Sequence, residues 1–236
     1  MLRHIETNKL FYNEYLYALK CQNPLLVIFR SCQSGASWAR VILDRMRPYF
    51  EDKEKLSQDI PHHLRDDITK GKIKYSHFRD AQTIYKCLSE KFSSQEFKIR
   101  IDWPSTAKFY ANDKAWLLEM ATRVNCAQEF HQPDPKYVGA LLQNGHIILV
   151  DKPPEYKWKV KFNNNKGDKN FSKWCKQNPD KVKISENTLE YIEKGYGLDG
   201  CFMYLRDRSI LTLVTLMIGN NLGRTDELVY CKDLDK

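Results

Sequence analysis

Long apolar runs are scarce in this chain of 236 residues. The longest, Ile210 to Ile218, holds two threonines and has about half the length a helix needs to span a bilayer. No membrane association is expected. The first residues lack the charged, apolar and small-residue regions of a secretory leader. Neither C-x-x-C nor H-E-x-x-H occurs, and the adjacent His62 and His63 diverge on a helix. Neither a zinc site nor any other cofactor is therefore expected. His4, His62, His63, His77, His131 and His146 show no spacing that pairs one of them with a serine or cysteine nucleophile. The seven cysteines (21, 32, 87, 126, 175, 201 and 231) include no close pair. An odd, dispersed set implies a reducing, cytoplasmic setting rather than a disulfide scaffold. No internal repeat is visible.

What is present is the composition of a globular protein: 42% hydrophobic and 29% charged residues. At this length about 70% of the unfolded surface can be buried, enough for a core without staples. The formal charge of +8 is concentrated in one place. Between Lys152 and Ile184 stand ten lysines against Glu155, Asp168 and Asp180, so this block carries +7 and the other 203 residues +1. A localised block of one sign predicts a surface that faces a polyanion.

The first ninety-odd residues read as helical. Tyr12, Tyr15, Leu16 and Leu19 share one helical face ahead of Pro24, while "PLLVIFRS" suits either a strand or a helix. Ser34 or Ser37 can cap a helix that carries Trp38, Val41, Ile42 and Arg45 and ends at Pro48. Asp59 can cap one that holds Ile60, Leu64 and Ile68 and closes at Gly71. Ser76 opens a third, with Phe78, Ala81, Ile84, Tyr85, Leu88 and Phe92 in register. From Phe97 onward short strands alternate with short helices. They are "FKIRID", "KFYAND", a helix capped by Asn112, another begun by Asp134-Pro135, then "HIILVD", "YKWKVKF", "VKIS", "CFMYLRD" and "ELVYCKD". "RDRS" at 206–209 reads as a turn. The expected fold is α+β: a helical N-terminal part, residues 1–95, packed on a mixed sheet with short helices, residues 96–236.

Three motifs carry chemistry. The strand "YKWKVKF" alternates Tyr156, Trp158, Val160 and Phe162 with Lys157, Lys159 and Lys161, so its aromatics and ammonium groups take opposite faces. Ammonium groups at about 7 Å spacing repel unless water or an anion covers them. The plainer reading is an edge strand whose lysines block pairing. A polar, flexible-looking loop follows, then a helix start, adding Lys166, Lys169, Lys173 and Lys176 beside Phe171 and Trp174. Lysines neutralise phosphates, and Trp158 or Trp174, if exposed, could stack on bases. Second, "VIFRSCQSGASWARVIL" places Cys32 and Gly35 before a helix, a layout that could hold a phosphate; with Trp38 where a phosphatase loop has arginine and no Walker lysine, a simple capped helix start is the preferred reading. Third, Pro133-Asp134 and Glu155-Tyr156-Lys157 match the letters of a PD…(D/E)-x-K nuclease, whose two carboxylates would hold Mg²⁺.

"KFYANDKAWLLEM", the Pro-Asp-Pro helix start and "YKWKVKF" together resemble proteins of unassigned function encoded by tailed phages. The resemblance covers scattered positions in the last two-thirds of the chain. It implies only a viral protein working in the host cytoplasm, where replication, host takeover and virion assembly are common jobs, and transfers no site. Membership of a larger assembly is a separate expectation.

These readings converge on a non-enzymatic accessory protein. It binds nucleic acid without sequence preference through Lys157, Lys159, Lys161, Lys166, Lys169, Lys173 and Lys176. The alternative is a structural or inhibitory protein that docks its basic face on an acidic protein partner. The Mg²⁺-dependent nuclease is a third.

Overall fold

Leu19 and Cys21 are fully buried while Lys20 between them is not, a two-residue period that makes this stretch a strand. The same alternation sends Phe97, Ile99 and Ile101, and then Ala107, Phe109 and Ala111, into one core. The computed structural model describes residues 1–34, 37–94, 96–102 and 105–234, without the side chains of 31–34 and 37. The chain is α+β and divides into two units, Met1–Pro135 and Lys136–Lys236.

In the first unit β1 (Arg3–Thr7) and β2 (Tyr17–Gln22) precede a 3₁₀ segment (Pro24–Ser34) and helices α1 (Ser37–Glu51), α2 (His62–Thr69) and α3 (Tyr75–Ser89). Next come β3 (Phe97–Asp102), β4 (Thr106–Ala111), α4 (Lys114–Arg123) and β5 (Ala127–Pro133). The sheet runs β1-β5-β2-β4-β3, antiparallel except for the β1–β5 pair. Its helices cover one face only, meeting it in a core that includes the fully buried Phe29, Phe78, Phe109 and Phe130. Each such ring contributes about 1.5–3 kcal/mol by leaving water.

The second unit contains α5 (Val138–Gln143), β6 (Ile147–Val150), β7 (Trp158–Phe162), α6 (Lys169–Gln177) and β8 (Val182–Ile184). It continues with α7 (Glu186–Lys194), β9 (Phe202–Leu205), α8 (Arg208–Ile218), β10 (Leu222–Tyr230) and α9 (Cys231–Leu234). The sheet order is β6-β10-β7-β9-β8, with β6 and β10 parallel and the other pairs antiparallel. Strand for strand, this is the order of the first unit. Without their first strands, β2–β5 and β7–β10 each follow the strand order of the split β-α-β (ferredoxin-like) connectivity, the second with an added helix, α7, between β8 and β9. β1 and β6 each add a parallel edge strand to the last strand of their unit. One wiring is thus used twice in a chain that shows no sequence period.

Several expectations are corrected. The boundary near residue 95 falls inside the first unit, because β3, β4 and β5 pair with β1 and β2. The N-terminal part is therefore a sheet covered by helices, not a purely helical one. The helix expected over Tyr12–Leu19 is a tight turn followed by β2. Phe11 accepts from the Glu14 and Tyr15 N–H groups, and Tyr12 and Asn13 have φ of 55° and 64°, the pattern of a type I′ turn. Asn112 binds this turn at the Leu16 N–H and the Glu14 carbonyl, and Asp113 caps α4 in its place. "PLLVIFRS" is 3₁₀, α1 continues through Pro48, and Pro61 rather than Asp59 stands at the start of α2. Lys74, not Ser76, stands at the start of α3. Of the phosphate loop read around Cys32 and Gly35, residues 35–36 lie outside the described residues, as do the side chains of Cys32, Ser34 and Ser37 that the reading needs. "RDRS" is the start of α8, where Asp207 accepts from the Ser209 and Ile210 N–H groups. Among the described residues no helix is long and apolar enough to cross a membrane.

Candidate nucleic-acid interface

Trp-Lys-Val-Lys-Phe in β7 folds as its alternation dictates. Val160 and Phe162 are buried, and Trp158 packs partly exposed against the same core. Met203 and Leu205 of β9 and Val182 and Ile184 of β8 join them, and α6, α7 and α8 close over that face with Phe171, Ile192 and Val214. The other face belongs to Lys159 and Lys161. Strand register sets Lys159 opposite Tyr204 and Lys161 opposite Phe202, and Tyr204 is in turn opposite Lys183. Lysines on two strands therefore flank an aromatic pair on the strand between them. Phe202 is 39% exposed, and the two rings meet edge to face at 5.5 Å. The Lys159 ammonium lies 4.1 Å from the Phe202 ring centre and 5.6 Å from that of Tyr204. Arg224 of β10 lies on the same face, its Nε bound to the Asp226 carboxylate, which is 1% exposed. β7 is a central strand, between β10 and β9, so its lysines guard no open edge.

The seven candidate lysines do not share one surface. Lys159 and Lys161 stand on the face free of α6, α7 and α8, with Lys157 exposed just before the strand. Towards β6 that face is covered, since Ile147, Ile148 and Leu149 are all buried, as is Asp226 opposite Lys159. Lys169, Lys173 and Lys176 lie on α6, in the layer that covers the opposite face, because Phe171 and Cys175 turn inward from that helix. Lys176 is bound to Glu193 at 2.6 Å, which with a Ser172 hydroxyl bond holds the Glu193 carboxyl below its usual range. Among the described residues, Lys157, Lys159, Lys161, Lys166, Lys169, Lys173 and Lys183 enter no ion pair.

The loop "NNNKG" is a structural tie rather than a flexible arm. Asn163 donates to the Asn220 and Leu222 carbonyls, Asn165 donates to Asn220, and Asn221 donates to the Lys166 carbonyl. Gly167 has no room for a side chain: a Cβ would come within 2.9 Å of the Ile192 backbone. Trp174 stacks on Phe171 and packs, like Trp158, against the core, so neither tryptophan is a free stacking surface.

The corresponding face of the first sheet is built differently. Arg3 and Lys20 bind Glu129, and Arg100 and Lys108 bind Asp102. Burial opposes ionisation of Glu129, yet its bonds from Arg3, Lys20 and His131 outweigh that and bring its pKa down to about 2. Burial lowers the pKa of His131, whose Nε2 lies 3.1 Å from a Glu129 oxygen. Tyr110 of β4 stands opposite Lys98 of β3. Its ring is covered by Phe11 and Tyr12, each at 5.1 Å, and Lys98 caps Tyr12 at 3.9 Å. This face is ion-paired and closed over by the protein's own rings.

Of the carboxylates of the nuclease reading, Asp134 belongs to the first unit and Glu155 to the second, where Glu155 pairs with Arg206 at 3.2 Å. Among the described residues no group of three or more His, Cys, Asp or Glu could hold a metal ion. Sequence reasoning overlooked Phe202, Tyr204 and Lys183. The signal was available: aromatic residues alternate with Met203 and Leu205 in "CFMYLRD", so two rings had to leave the core together. Comparison with family models, curated proteins and solved structures finds no match to this chain.

Proposed function

We propose that the chain is a non-enzymatic accessory protein that binds single-stranded nucleic acid on the helix-free face of its second sheet. Phe202 and Tyr204 would stack on unpaired bases, and Lys159, Lys161 and Lys183 would neutralise the adjoining phosphates. The observation that carries this reading is the aromatic pair, Phe202 exposed and Tyr204 half-buried, set between lysines that enter no ion pair among the described residues; Asp226, opposite Lys159 in register, is taken by Arg224. Base stacking on an aromatic side chain is worth about 1–3 kcal/mol and tolerates any sequence. Four-stranded sheets that stack two or three bases on exposed aromatics are an established way of reading single-stranded RNA; this support is by analogy of architecture. A duplex keeps its base faces inside and offers the rings nothing. In the viral setting that the phage resemblance implies, such a surface suits replication or host takeover.

A second reading rests on α6. Lys169 and Lys173 form an exposed stripe without aromatics, which favours a plain electrostatic contact with an acidic protein.

The test is fluorescence anisotropy with a 12-nucleotide single strand, its base-free (abasic) analogue and the matching duplex, over a range of salt. The single strand should bind at least about tenfold tighter than either competitor, with log affinity falling by about 0.7 per log salt for each phosphate contacted. Equal binding of all three probes would overturn the stacking platform. Binding of none, with retention on an acidic protein surface, would favour the α6 reading.

A further inference from the structure

The repeated wiring lets one unit serve as a template for the other. In the first sheet Lys98 and Tyr110 are direct partners on the edge strand β3 and its neighbour β4. In the second sheet Lys183 and Tyr204 are direct partners on the edge strand β8 and its neighbour β9. Both pairs lie on the helix-free face, since Phe97, Ile99, Phe109, Val182, Met203 and Leu205 beside them all enter the cores. In the first unit the pair is filled. The Tyr12 ring meets the Tyr110 ring edge-on at 5.1 Å, with the Lys98 ammonium 3.9 Å above its centre. The turn that delivers it holds Tyr12 and Asn13 at positive φ, an uncommon conformation for a bulky residue. In the second unit the connection between β6 and β7, residues 151–157, supplies no such ring: its one aromatic, Tyr156, bonds through its hydroxyl to the Pro179 carbonyl. Lys183 is exposed, and no ion pair involves it among the described residues.

We infer that Lys183 and Tyr204 form an open clamp for one flat ring of the ligand, a nucleobase that rests on Tyr204 with the Lys183 ammonium over its free face, as Lys98 lies over the Tyr12 ring in the first unit. Lys183 then acts on the base face, as a cation above a π system, and not only on a phosphate. This deepens the proposed single-strand reading and rests on it.

The two possibilities for Lys183 separate on base-bearing and abasic 12-nucleotide strands. Lys183→Met keeps the aliphatic stem and removes the charge at an exposed position, so the fold is expected to survive, checked by circular dichroism. A clamp predicts a loss of about 3- to 10-fold on the base-bearing strand beyond the loss on the abasic strand, in keeping with cation–π strength. Lys183→Arg should restore binding to the base-bearing strand. Equal losses on both strands would make Lys183 a phosphate contact alone and overturn the clamp. A wild-type protein that binds both strands equally would instead sink the stacking platform itself, so the two failures are distinguishable.

Discussion

Lys159 and Phe202 are diagonal neighbours, yet their contact is closer than that of the direct pair. Register places Lys159 opposite Tyr204, but its ammonium lies 4.1 Å from the Phe202 ring centre against 5.6 Å for Tyr204. The lysine thus leans along its strand over Phe202, while Lys183 stands opposite Tyr204 in register on the other side. An exposed ring and a half-buried one beside these lysines are a surface whose parts can be removed one at a time.

Truncating either ring should weaken binding without harming the fold. Phe202→Ala and Tyr204→Ala are each expected to cost about 1–3 kcal/mol, a 5- to 150-fold loss on a single strand. On an abasic strand the same variants should bind like the wild type. Anisotropy titrations with both probes check this.

The lysines should divide into two sets. Lys159→Glu with Lys161→Glu reverses charge on the aromatic face and should abolish detectable retention on single strands at physiological salt. Lys169→Glu with Lys173→Glu changes net charge equally but acts on the layer over the opposite face. That pair should leave most of the affinity intact. Equal damage from both pairs would mean that only total charge matters.

Much of the second unit could be read from the sequence, because its elements are short and locally punctuated. Asp168 and Ser185 cap α6 and α7 through their side chains, and Gly195 ends α7 at a φ of 67°. The first unit was less legible for two physical reasons. Tyr12, Tyr15, Leu16 and Leu19 fall at helical spacing, but the turn at Tyr12–Asn13 reverses the chain without glycine, so tertiary pairing with β4 and β5 decided the outcome. β1 and β5 are parallel neighbours 120-odd positions apart, a pairing that no local pattern announces. The lysine block was visible as charge, but its division between a strand face and a helix depends on which side of the sheet α6 covers.

Acid should loosen the first sheet in a defined window. The Glu129 pKa is lowered from 4.5 to about 2, so the unfolded chain takes up that proton at higher pH than the folded one. The stabilisation is fully present above pH 4.5 and is lost as pH falls towards 2. Urea melts across this range should show the decline, and Glu129→Gln should flatten it. An unchanged slope in the variant would exclude Glu129 as its source.

Gly167 should tolerate no side chain. In Gly167→Ala the new Cβ would meet the Ile192 backbone at 2.9 Å and both of its γ carbons at 2.8 Å, and Ile192 is fully buried. Overpacking of this kind costs about 1–3 kcal/mol. Gly197→Ala meets only the tip of the exposed Asn164 side chain, at 2.5 Å, and should lose less because that group can swing away. Paired denaturation curves test the ranking.

Two stretches of one polypeptide share a strand order while their connections differ: three helices lie between β2 and β3 but one between β7 and β8, and α7 fills a link that is three residues long in the first unit. Their outer surfaces are set apart by those links as much as by side chains, the Tyr12 turn with Glu129 and Asp102 on one, the Phe202–Tyr204 pair beside Arg224 and Asp226 on the other. One strand order can be finished in two ways.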